Sequence, residues 1–379
     1  MKRGGRERGT GSGGRKPSGR KATGQASRTA AKAKQKPAAG KPAAPKPPNQ
    51  KPASHKSAEQ KPAAQETVRT TRARSAAAMR KSPGPEFPTG LLGVLKYDEP
   101  LGRHTTFRIG GPARWHFTPG DRDSLLAAVA WARQNGLPWM VLGLGSNVLI
   151  RDGGFKGLVI KIGKGLDELV QKGQLWTAGA GLATPLLARR TAEAGFAGVQ
   201  RLIGVPGTVG GGVFMNAGCH GQEMAKVLTS ATLLTPAGQI VERARKDIPF
   251  SYRRSGLEGF VVLGCTVKLE PAKAADVKED YLLYLKKRRE GTPFDQPCCG
   301  SVFKNPADAT AGKLIERCAL KGRRVGGAEI SMQHANYIVN RGGARAEDVL
   351  KLIDIARTAV FKEYGIELEL EVKVIGDPA

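Results

Sequence analysis

Leu202 to Cys219 reads LIGVPGTVGGGVFMNAGC, with six glycines, a proline and a threonine in a stretch that holds no charged side chain. Gly204, Gly207, Gly210, Gly211 and Gly212 leave backbone N–H groups uncovered by side chains, so an anionic group can approach the main chain closely. A diphosphate suits such a surface. Neither common phosphate signature is present: no GK[ST] follows as in a Walker loop, and the GxGxxG opening of a dinucleotide-binding βαβ unit is missing. Taken alone, the stretch reads equally as a tight, glycine-rich turn in a β structure.

Further upstream, the loop Gly143-Leu144-Gly145-Ser146-Asn147 stands between two apolar runs, Trp139 to Leu142 and Val148 to Ile150. Both flanks read as buried strands. A Rossmann loop leads into a helix, so a strand–loop–strand setting points to another way of holding a nucleotide.

The whole chain has 379 residues and a formal net charge of +28, enough length for two or three domains. Residues 1–88 carry 22 Lys and Arg against 4 Asp and Glu, so +18 sits in this tail and +10 in the remaining 291 residues. The tail repeats Lys-Pro-Ala-Ala at Lys36, Lys41 and Lys61. Such a segment has too little apolar surface to offset the entropy of ordering and is expected to be disordered. Repeated lysines on it would be drawn to polyanions, nucleic acid or an anionic membrane face. A solvated extension without a partner fits the composition too, as does translation starting at Met79.

No apolar h-region follows the basic start, and no apolar run reaches the roughly 18 residues of a membrane span. The five cysteines, Cys219, Cys265, Cys298, Cys299 and Cys318, show no paired metal spacing. Reduced thiols in a cytoplasmic protein are the simplest account.

From Gly90 the pattern is mixed α and β. A strand is expected at Ala113 to Phe117. Next comes a helix capped by Asp121 to Asp123, with Leu125, Leu126, Val129 and Ala130 on its apolar face and Gly136 at its end. Strands follow at Gly157 to Ile162 and Leu175 to Ala178, and a helix at Ala183 to Ala194. Ser230 to Leu234 and Ile240 to Arg243 form a hairpin about Thr235-Pro236-Ala237-Gly238. Phe260 to Leu269 is an apolar strand. Ala275 to Glu290 reads as a charged helix leading to a third unit, in which helices at Ala311 to Ala319 and Ala346 to Tyr364 precede a closing alternation, Ile366 to Ile375.

Six segments together resemble the UDP-N-acetylenolpyruvoylglucosamine reductase family: GLGSNVLIRDGGFKG from Gly143, GVPGTVGGGVFMNAG from Gly204, SYRRSG from Ser251, CGSVFKNP from Cys299, GGAEISMQHANYIVNRGGA from Gly326 and LELEVKVIG from Leu368. They span Leu101 to Gly376 in the family's order. The resemblance implies an α+β fold. A two-lobed FAD-binding domain of the vanillyl-alcohol-oxidase type is expected over residues 89–272. A C-terminal α+β substrate-binding domain is expected over 273–379, its last strand free to return to the FAD lobe. Only about 48 residues separate Arg253 from Ser301, which resembles the family's second type, lacking the insertion with a substrate-covering tyrosine.

By the same resemblance FAD is held non-covalently and NADPH is the co-substrate. The FAD contacts carried over are Gly143, Leu144, Gly145, Ser146, Asn147, Val205, Pro206, Gly207, Thr208, Gly210, Gly211 and Asn216. His220, just after the second loop, is not expected to carry the flavin covalently. Ser301 matches the proton donor and Arg253 the arginine that grips the enolpyruvyl carboxylate. Glu371 matches a catalytic glutamate, although pattern alone puts it on a solvated strand face with Glu367 and Glu369. Tyr252, Lys304 and Asn305 are further substrate contacts, and Lys304 is a candidate to stabilise the Ser301 alkoxide. Arg254 adjoins Arg253; neighbours on a strand face opposite ways, and the family register selects Arg253. The implied activity is NADPH-dependent reduction of a nucleotide-sugar enolpyruvate in peptidoglycan precursor synthesis. Two rivals remain at this stage: another flavin-dependent oxidoreductase of the same fold, and a nucleic-acid-binding protein led by the tail.

Overall fold

The computed structural model describes residues 84–379; residues 1–83 of the basic tail and its expected partners lie outside the described residues, whereas residues 84–88, expected to belong to the disordered tail, are ordered, because Phe87 buries its ring against Phe117 and Trp131. Four hydrophobic clusters organise this part of the chain, two of them on the first sheet and one each on the second sheet and in the C-terminal unit.

The first sheet pairs Gly93–Pro100 antiparallel with Pro112–Pro119, which runs parallel to Phe155–Lys161, and that strand in turn runs parallel to Trp139–Leu142. Helix Arg122–Gln134 covers one face. Asp121 caps it by accepting the Ser124 amide at 2.8 Å, which satisfies one orphan donor of the first turn. Its buried face is Leu125, Ala128, Val129 and Ala132, while Ala130 is exposed. Ala128 and Ala132 thus take the places on the buried face that the sequence expectation gave to Leu126 and Ala130, in one cluster with Trp115 and Phe117 of the strand below.

The second sheet is antiparallel, in the order Ile240–Ala244, Leu228–Leu234, Val261–Lys268, Leu175–Gly179, Leu169–Lys172. Its expected hairpin closes with Leu234 opposite Ile240. Helix Thr184–Glu193 and the 3-10 turn Gln200–Gly204 pack on it. The glycine-rich stretch is not a turn between strands: Val209–Phe214 forms a short helix with the Thr208 side chain accepting the Gly211 amide at 3.3 Å. Part of the glycine content serves packing here. A Cβ on Gly210 would lie 2.8 Å from that of Ala180.

In the third unit Arg324–Val325, Ala328–Ile330 and Ile338–Asn340 form a small antiparallel sheet against helices Ala311–Arg317 and Ala346–Tyr364. The long helix buries Val349, Leu352, Ile353, Ala356 and Val360 and stops at Gly365, whose φ of 66° is left-handed, a conformation glycine adopts without Cβ strain. Its N-terminus is capped from another unit: the Asp152 carboxylate accepts the Ala346 and Glu347 amides at 2.9 and 3.2 Å. Helix Ala274–Gly291, which the sequence groups with the third domain, is held by the second lobe. Arg201 binds Asp280 at 3.0 Å, and Arg288 donates to the Gly204 carbonyl at 3.0 Å.

The closing alternation does not form one long strand. Lys373–Ile375 alone pairs, parallel to Val148–Ile150, and Leu370 makes an isolated bridge to Phe303. The chain between them stays extended because its hydrogen bonds are shared out: Lys304 donates to the Glu369 carbonyl, Glu371 to the Val302 carbonyl and Lys373 to the Asn147 carbonyl. Among the described residues, no helix is long and apolar enough to cross a membrane.

Candidate active site

A cleft of about 520 Å³ opens where these units meet. Residues Trp139 to Val148 and Val205 to Thr208 line it, with Phe260, Val261 and Val262 adding apolar wall and Arg253, Arg288, Ser301, Glu371 and Lys373 adding polar groups.

The loop after strand Trp139–Leu142 turns its carbonyls inward. Gly143 O accepts from the Lys161 ammonium, and Gly145 O accepts from the Thr106 amide at 3.1 Å. The amides of Leu144, Gly145, Ser146 and Asn147 have no acceptor among the described residues. In the second loop the amides of Gly207 and Thr208 are likewise open, whereas those of Val209, Gly210 and Gly212 bond to the carbonyls of Leu182, Ala180 and Thr208. The uncovered donors are thus fewer than the glycine count suggests. Ser146 ties the loops together by donating to Pro206 O at 2.7 Å.

This surface fits FAD by its donor chemistry. Free amides on two touching loops suit a diphosphate, and apolar walls suit a flat ring system. His220 does not line the cleft; its ring packs on Tyr284. Gly145 is the sensitive point, with φ at 65° and a would-be Cβ only 2.4 Å from His104 O. Gly145→Ala combines a left-handed backbone cost of about 1 kcal/mol with a backbone clash. It is expected to weaken FAD binding about tenfold or more in a fluorescence titration, with little change in the far-UV circular dichroism.

Arg253 and Glu371 meet on the cleft although 118 residues apart, Nε donating to Oε1 at 2.9 Å. Arg253 also donates from Nη2 to Gly218 O at 2.9 Å. Ser251 to Arg254 is a tight turn rather than a strand, closed by amide–carbonyl bonds between Ser251 and Arg254, and Arg253 sits at φ 58°. Both arginines therefore reach the same final segment. Arg253 enters the cleft to Glu371, and the exposed Arg254 pairs with the exposed Glu369 at 2.5 Å. Burial raises the Glu371 carboxyl above its ordinary value, with the Arg253 charge opposing that shift. The Ser301 hydroxyl lines the cleft and caps nothing among the described residues.

Four residues assigned from the resemblance are not among those lining the cleft. The Asn216 amide is consumed as a backbone clip, donating to Ser251 O and accepting the Ala225 amide, both at 3.0 Å. Asn305 accepts the Ala311 amide at 3.1 Å, at the start of the helix Ala311–Arg317. The buried Lys304 pairs with Glu369 at 2.7 Å instead of reaching Ser301. Tyr252 is exposed, with the Arg253 guanidinium over its ring. In their place stands Arg288, which sequence reasoning missed. Nothing in Lys286-Lys287-Arg288-Arg289 distinguishes it locally; only the docking of its helix on Gln200–Gly204 aims it at the cleft.

Residues 114–243 match the model of an FAD binding domain, and residues 292–375 match that of the UDP-N-acetylenolpyruvoylglucosamine reductase C-terminal domain. A UDP-N-acetylenolpyruvoylglucosamine reductase of Rubrobacter xylanophilus is 44% identical over 291 residues, covering 76% of this chain and 97% of its own. That of Chloroflexus aurantiacus is 42% identical over 300 residues, covering 76% and 100%. Among solved structures, UDP-N-acetylenolpyruvylglucosamine reductase from Thermus caldophilus superposes with a TM-score of 0.66 at 35% identity, covering 76% of this chain and all of that one.

Proposed function

This chain belongs to the UDP-N-acetylenolpyruvoylglucosamine reductase family, and from that premise we propose how its own residues carry the reaction. It is an FAD-dependent oxidoreductase of peptidoglycan precursor synthesis that uses NADPH to reduce UDP-N-acetylglucosamine enolpyruvate to UDP-N-acetylmuramate. The observation that carries the residue assignment is the convergence of Ser301, Arg253 and Glu371, from three distant stretches, on the cleft that the two glycine loops line.

FAD, held by the open amides of the Gly143–Asn147 and Val205–Thr208 loops, would supply the hydride chemistry by which the enolpyruvyl group is reduced at C3. The protein's part is to manage the charge and the proton that this leaves behind. As C3 gains hydride, negative charge builds on the substrate carboxylate and needs a fixed cation. Arg253 provides it. Glu371 and Gly218 O hold two edges of its guanidinium, so the remaining N–H groups are aimed without the entropy cost of a free side chain. Ser301 gives its hydroxyl proton to C2. A serine is a poor acid in water, so the oxygen anion that results needs nearby positive charge; Arg253 and Arg288 line the same cleft. Glu371 acts through Arg253 as a positioning residue.

Such an enzyme is expected in the cytoplasm, where both nucleotide co-substrates are made. The test is anaerobic half-reaction kinetics. The purified protein should be yellow, lose its colour with NADPH and regain it with the enolpyruvyl nucleotide sugar. Bleaching by NADPH that this substrate fails to reverse would point to another flavin-dependent oxidoreductase.

A further inference from the structure

We infer that Lys161 is a positioning residue for the cofactor: from behind the Gly143–Asn147 loop it sets the direction of the loop amides and brings a positive charge to a loop that carries none of its own. The inference rests on the FAD reading above and concerns how this chain achieves it.

The two loops that line the cleft carry no charged side chain. Lys161 ends the strand Phe155–Lys161 directly beneath the first of them, and its ammonium donates to Gly143 O and to His104 O, the latter at 3.3 Å. It has no carboxylate partner among the described residues. A trans peptide points its N–H opposite to its C=O. Fixing Gly143 O on Lys161 therefore turns the Leu144 N–H away from the lobe, and fixing Gly145 O on Thr106 does the same for the Ser146 N–H. A neutral apolar residue at 161 would leave Gly143 O unpaired and that peptide free to flip.

The half-buried Lys161 ammonium has no counter-charge of its own, and an arriving anion would offset part of its desolvation. Desolvation brings Lys161 down to about 8. The titratable groups nearby are the stacked imidazoles of His104 and His116, with Glu99 on His104 at 2.9 Å and Lys96 on Glu99. His116 is held near 4 by burial and so stays neutral above pH 7. Binding a diphosphate favours the charged lysine and raises its pKa. By linkage, affinity is greatest below pH 8 and falls as pH climbs past it.

The test is the dissociation constant of FAD from the full-length apoprotein, read by flavin fluorescence between pH 7 and 9.5. Wild-type protein should bind about five- to tenfold more weakly at pH 9 than at pH 7, given a free lysine near 8. Lys161→Met should bind roughly thirtyfold more weakly at pH 7 and show no such slope. Lys161→Arg, which keeps its charge throughout, should bind tightly and also lose the slope, an outcome that a packing role would not produce. A flat wild-type profile, or Lys161→Met binding within threefold of wild type, overturns the inference. Should Lys161→Met fail to fold, the wild-type and arginine profiles still decide. Failure of wild-type protein to bind FAD at any pH would instead strike the cofactor reading itself.

Discussion

Ser301→Ala should bleach with NADPH at the wild-type rate and recover its colour on the enolpyruvyl nucleotide sugar roughly a thousandfold more slowly, since a positioned general acid is worth about 10² to 10⁴ in rate. The split between half-reactions is the informative part. The hydroxyl lines the cleft and caps no helix or turn among the described residues, so removing it takes away no structural bond. The change also leaves the loops that hold the cofactor untouched. Stopped-flow traces with equal losses in both halves would mean that the serine shapes the shared binding site rather than delivering a proton to C2. Deuterium oxide adds a second check: a solvent isotope effect on the oxidative half should be larger in the variant, where slow proton delivery from water limits the rate.

Arg253→Lys should cost about 10²- to 10³-fold in the oxidative half-reaction, the scale of losing one preorganised charge-stabilising donor. A lysine retains the charge, so a purely electrostatic account would foresee little change. What it loses is the fork. In the native turn Nε is committed to Glu371 and Nη2 to Gly218 O; an ammonium has one nitrogen for these two anchors and the substrate carboxylate together. Glu371 would keep its burial while its partner is drawn away, leaving its carboxyl still further above the ordinary range. The loss should appear mainly in turnover, with a modest shift in melting temperature. Normal reoxidation kinetics in this variant would assign the carboxylate to another group, Arg288 being the next cation on the cleft.

Local rules were read well where both partners of an interaction lie within a few residues. Asp121 and Ser124 make the first helix cap, Thr235-Pro236-Ala237-Gly238 turns the hairpin, and Gly365 ends the last helix. The strand–loop–strand setting of Gly143 to Asn147 was legible for the same reason, because apolar runs flank it on both sides. Rules applied across a wrong local geometry went astray. The argument that adjacent arginines face opposite ways presumed a strand at Ser251 to Arg254, and a turn there lets both reach one glutamate-bearing segment. The glycine count overstated the open amides, because those of Gly210, Gly211 and Gly212 are already bonded, to Ala180 O, the Thr208 hydroxyl and Thr208 O.

By itself, the sequence determined most of the element types, though not the short helix Val209–Phe214, the turn at Ser251 to Arg254 or the broken closing strand, together with the two glycine loops without charge and the family to which their order belongs. These depend on backbone preference and apolar periodicity, which operate over a handful of neighbouring residues. Only the tertiary structure decided that Glu371 leaves the solvated face for Arg253, that Lys161 stands behind the loop and Arg288 before the cleft, and that Asp152 caps a helix 194 residues further on. Each is a contact between side chains whose local sequence is indifferent to their direction. The packing of the hydrophobic cores against one another aims them.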